Sequence, residues 1–163
     1  MNIKHVALSL IAGIVIGAGA GFAAGIISFP YIFPPPEVNE TVANKESKQV
    51  LATGTFIHAN PNDPVHYGKG NLTIYDDLVH LESDFEVGPG PKYHVYLVPE
   101  IDVMPDTDVE STMFVDLGRL KAFSGSQNYQ IPNGINLDDY QSVVIWCEQF
   151  GVLISPANIT FSK

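Results

Sequence analysis

The stretch "VVIWCEQF", residues 143–150, carries the one cysteine of the chain, Cys147. A single thiol cannot form a disulfide within the chain, and neither the CxxC of redox proteins nor the CxxCH of covalent haem attachment is present. No histidine follows Cys147, which removes the pattern of a blue-copper site. The other groups suited to a metal are His58, His66, His80 and His94, at no ligand-like spacing. Unless the fold gathers them, they read as surface or satisfied histidines. The acidic turns at Asp76, Asp106 and Asp138 lack the glycine and spacing of an EF-hand loop. GxSxG, P-loop, HExxH and GxGxxG are all absent, so no hydrolase or transferase motif is present.

Cys147 supports two readings. Strand alternation puts Val143, Ile145 and Cys147 on one face and Val144, Trp146 and Glu148 on the other. Cysteine packs as a small apolar group and is among the most buried residue types, which makes it a core residue of a binding or adhesion module. The neighbouring Glu148 disfavours a thiolate, and within twenty residues the only Lys or Arg is Lys163. Against this, a free thiol in an oxidising compartment is a liability that Ser or Val would avoid, which argues that it is kept for a reaction.

Around these residues the pattern is β. Segments 50–58, 70–76, 78–85, 93–99, 113–118, 127–132, 141–149 and 152–161 are rich in Val, Ile, Thr and aromatics. Turn residues separate them, as in "NPNDP", "GPGP" and "PNG". Eight or so short strands without intervening helices imply an all-β, antiparallel β-sandwich or barrel-like domain. It spans residues 49–163.

Ahead of it the composition changes. Residues 6–29 are uncharged and apolar; at 1.5 Å per residue they reach roughly 36 Å, enough to cross a membrane as a signal-anchor. Pro30 and the run Pro34–Pro36 end that helix, and 30–48 reads as a Pro-rich polar stalk. Lys4 before the span and the acids after it put residues 1–5 in the cytoplasm and the β domain in the periplasm or outside the cell. Gly13, Gly17, Gly21 and Gly25 form a small-residue ridge suited to self-association. The net charge of −10, with all 18 acids beyond residue 33, would repel nucleic acid.

Several stretches in order are similar to the DM13, or "electron transfer DM13", family. They are "GTFIHANPNDPVHYGKGNLTIYDD", "LESDFEVGPGPKYHVYLVP", "VDLGRLKAFSGSQNYQIP" and "YQSVVIWCEQFGVLISPANI". The most specific residues are Leu117, Gly118, Leu120 and Lys121, then Gly125, Gln127 and Tyr129, then Val143, Trp146 and Cys147. At "GPGP", Gly90 stands where the family usually carries an acid. The resemblance implies a small extracytoplasmic all-β module and a redox role for Cys147, as a naked thiol or as a ligand to a haem or metal. It thus implies an oxidoreductase component with a redox partner protein. A bound cation would itself deprotonate the thiol, so a ligand role suits the acidic surroundings better than a free thiolate. His66 and then His94 are the candidate second ligands.

Overall fold

A computed structural model describes residues 3–162 and divides the chain into two units that meet at Pro34 and Pro35. The first is helix α1, Ile3–Ile32, with a mean hydropathy of 2.2 over its most apolar window. Among the described residues it is the one helix long and apolar enough to cross a membrane. It does not stop at Pro30. Proline lacks an N–H to donate, yet the helix continues to Ile32, and Phe33 N–H still donates to Phe29 O at 2.8 Å. The break falls instead at the run of three prolines that follows.

The second unit is all β. Its strands are β1 Ala52–Phe56, β2 Gly68–Ile74, β3 Leu78–Leu81, β4 Glu86–Val87, β5 Tyr93–Val98, β6 Val115–Arg119, β7 Gln127–Gln130, β8 Ser142–Cys147 and β9 Val152–Phe161. Every segment expected as a strand contains one. The two-residue β4 is additional, too short to show alternation. Eight strands pair antiparallel in the order β6-β5-β8-β9-β1-β2-β3-β7, and β4 adds to β2. The result is a nearly closed barrel, which decides between the sandwich and barrel alternatives.

The barrel interior holds the main core, including Phe56, Leu72, Phe85, Tyr93, Leu97, Tyr129, Ile145 and Cys147. A second apolar cluster lies outside the barrel wall, where Val103, Val109 and Phe114 cover Tyr96, Val144, Trp146 and Leu153. Strand β8 is therefore buried on both faces, and all six of its residues are enclosed. That explains its continuous apolar sequence where a one-sided strand would alternate.

The barrel closes without a hydrogen-bonded ladder between β6 and β7. Its seam is filled by residues 120–126 and by the segment leading into the domain, whose polar, aperiodic sequence reads as a stalk. Glu40 N–H donates to Ser126 O at 2.9 Å, and Asn128 N–H donates to Glu40 Oε2 at 2.7 Å. Lys121 Nζ donates to Asn128 O at 2.8 Å and pairs with Glu40 at 2.7 Å. The backbone groups of Asn128 thus find side-chain partners where a sheet would supply a strand. Gly125 adopts φ +87°, and a Cβ there would collide with the Val38 carbonyl, so only glycine lets the segment come this close.

The fully buried Gln127 staples the seam from inside. Its Oε1 accepts from the N–H groups of Lys121 and Ala122 and from the Tyr129 hydroxyl, while its Nε2 donates to Ala122 O. Gly118, at φ +120°, sits where the β5–β6 register shifts. Two of the most specific motifs in the sequence therefore shape and close the barrel.

Replacing Glu40 by Ala removes the acceptor of the Asn128 N–H and is expected to destabilise the domain by about 1–3 kcal/mol in urea unfolding. Glu40→Gln keeps an acceptor and should lose less than half of that.

Candidate functional site

Antiparallel pairing gathers the loops 57–67, 82–92, 120–126 and 148–151 at one end of the barrel. Cys147 ends β8 there, in the last rung of the ladder, between Tyr93 of β5 and Val152 of β9. The side chain points into the barrel and is 1% exposed. Its Sγ donates to Pro91 O at 3.2 Å, so the "GPGP" loop covers it. A Cβ on Gly90 would run into the Tyr93 hydroxyl. The Tyr93 ring occupies the space that a side chain at residue 90 would need.

Burial pushes the Cys147 thiol up from its ordinary pKa. The N–H groups of Phe150 and Gln149 work in the opposite direction, and Glu148 adds to the rise. The thiol is thus protonated and covered in this conformation. The packing also bears on a haem. Cys147 is 1% exposed, its sulfur bonds Pro91 O, and the surface grooves around Thr53, Gln49 and Lys69 are not lined by it. A macrocycle needs an open slot beside its ligand, so these surroundings do not fit one.

The two candidate histidines have partners other than Cys147. His66 belongs to the 57–67 loop, where its Nδ1 bonds Asp63 Oδ2 at 2.7 Å. Asp63 Oδ1 also accepts from the N–H groups of Val65 and His66, and His58 Nε2 reaches Asp63 O at 2.7 Å. His66 is therefore part of a loop clasp at the same barrel end as Cys147. His94 pairs across the sheet with Trp146, one residue before Cys147, and so projects from the opposite face. It faces outward beside Tyr96.

On that outer face His94 meets two carboxylates. Asp116 of β6 accepts from Nδ1 at 3.0 Å, and Glu148 Oε2 lies 3.5 Å from Nε2. One donor atom from each of the three residues lies within 4.8 Å of the other two. Glu148 also accepts from the Tyr96 hydroxyl at 3.0 Å and pairs with Lys92 at 2.9 Å. Lys92, first in order of effect, holds the Glu148 carboxyl below its ordinary pKa. Burial and the Glu148 bond keep the Tyr96 hydroxyl protonated. Lys92 lies 56 residues before Glu148, and the β5–β8 pairing brings this cation to the acid beside Cys147.

A family model described as Electron transfer DM13 matches residues 62–159. No curated protein and no solved structure matches the chain.

The Asp63 clasp has a defined pH dependence. The His66 bond and then the Val65 and His66 N–H groups depress Asp63 from 3.8 to about 2. A depressed carboxyl contributes stability above its unfolded pKa and loses it as pH falls through the folded one. The protection factors for amide exchange at Val65 and His66, taken relative to intrinsic exchange at each pH, should therefore fall between about pH 4 and about pH 2. Asp63→Asn should make that exchange fast at neutral pH and remove the step.

Proposed function

Since the chain belongs to the DM13 family, we propose that its β domain is an electron-transfer module whose working group is Cys147, with α1 as its membrane tether. The observation that carries this reading is the position of the thiol. It lies at the barrel end, where the Pro91 carbonyl of the "GPGP" loop accepts from it. Exposed Ile57, Val65 and Phe150 belong to loops at the same end and offer a partner an apolar contact.

The step open to a lone thiol is exchange with a partner's disulfide. Cys147 gives up its proton, its sulfur attacks one sulfur of the partner, and the other leaves as a thiolate that takes a proton. Cys147 is then oxidised to a mixed disulfide, and half of the partner's disulfide is reduced. With no second cysteine in the chain, a thiol of a third molecule must attack the Cys147 sulfur and release the partner as a dithiol, because the partner's own thiol would only reverse the step. The loop makes the reaction conditional: the thiol is unreactive while Pro91 O accepts from it and becomes competent when the loop moves. A second reading, a binding module with a core cysteine, is favoured by the 1% exposure and the raised pKa.

A thiol titration of the full chain in detergent separates the two. For the redox module, native Cys147 should react with an aromatic disulfide reagent at least about tenfold faster than the domain unfolds, through local opening. Gly90→Ala, which displaces the loop, should speed that reaction further while the chain stays folded. Labelling that proceeds only at the global unfolding rate, in both proteins, would leave Cys147 as a packing residue.

A further inference from the structure

We infer that His94 and Glu148 form a binding site for a borderline divalent cation of the zinc class on the outer wall of the barrel, with Asp116 as its positioning residue. The site is separate from Cys147, which points to the other side of the sheet.

The argument starts from the two nitrogens of His94. Nδ1 is bound to Asp116, at 3.1 and 3.0 Å from its two oxygens. A carboxylate there takes the Nδ1–H and leaves the Nε2 lone pair outward, the arrangement that orients a histidine for metal binding. Nε2 faces Glu148 Oε2 across 3.5 Å, too long for a good hydrogen bond. The gap suits a cation. An ion about 2.1 Å from both atoms would subtend a near-tetrahedral angle between them.

Glu148 is oriented as well. Tyr96 donates to its other oxygen at 3.0 Å, which leaves Oε2 for the ion. The side chains of His94 and Glu148 are 14% and 26% exposed, sheltered but reachable from solvent. Imidazole with carboxylate suits zinc and its first-row neighbours better than calcium, which prefers all-oxygen sites. The remaining positions are left to water, so the site is open and its ion exchangeable.

One group competes. Lys92 Nζ lies 2.9 Å from the same Oε2. Its side chain is 53% exposed and can swing into solvent, so an arriving ion replaces one cation by another at the carboxylate. The net charge of −10 raises the local concentration of divalent cations around the domain. Each of the four side chains comes from β5, β6 or the residues flanking β5 and β8, so the ladder itself sets their positions.

The test is zinc titration of the full chain in detergent by calorimetry, with cobalt absorption as the reporter of coordination geometry. One zinc should bind with an affinity unchanged in Cys147→Ser, and cobalt should give the intense visible bands of a near-tetrahedral ion. His94→Ala and Glu148→Gln should each abolish that binding, and Asp116→Asn should weaken it by about 10–100-fold. Lys92→Met should tighten it several-fold, an effect that a purely structural ion pair would not produce. No saturable binding, binding indifferent to His94→Ala, or binding lost in Cys147→Ser would overturn the proposal.

Discussion

The seam between β6 and β7 sets the terms for the barrel. An edge strand presents unpaired N–H and C=O groups, and a barrel normally removes the problem by pairing its last strand with its first. Here that last ladder is missing. Glu40 accepts from the Asn128 N–H, Lys121 donates to the Asn128 carbonyl, and the two side chains pair with each other. Behind them Gln127, with no exposed surface, satisfies the turning backbone at Lys121 and Ala122. A buried polar group left without a partner costs about 1–3 kcal/mol, so a network that satisfies every member is worth keeping intact.

The seam connects to the site through the loops it anchors. Residues 120–126 bond back to the "DFEV" region, where Val87 N–H donates to Phe123 O and Gly125 N–H to Phe85 O. That same stretch runs on into the "GPGP" loop that covers Cys147. Tyr93 then touches both sides, since its ring packs against Phe123 at 5.9 Å and its strand position is opposite Cys147. The closure of the barrel and the cover over the thiol are thus parts of one packed end.

Strand β8 divides the chemistry between two environments. Cys147 turns inward to an apolar core that keeps it protonated, and Glu148 turns outward to His94, Tyr96 and Lys92. One residue along a strand is a change of face, so neighbours in sequence act as strangers in chemistry. The anion beside the thiol in sequence is answered by a lysine and a histidine of β5's end, and its influence on the sulfur is smaller than that of burial.

The sequence by itself determined the all-β class, the eight main strands, the apolar helix and the placing of Cys147 and Glu148 on opposite faces of one strand. Those features depend on local periodicity, turn residues and run length, all of which act within a few residues. It also marked Gly125, Gln127 and Tyr129 as special without saying that they close a seam. Only the tertiary structure decided barrel over sandwich, drew Glu40 out of an apparent stalk onto β7, and set His94 beside Glu148 rather than beside Cys147. Those outcomes depend on strand order and register, which join residues such as Glu40 and Asn128 across long stretches of chain. Alternation reveals which face a residue takes, but which strand lies next to it follows from how the whole set of strands can be packed and paired.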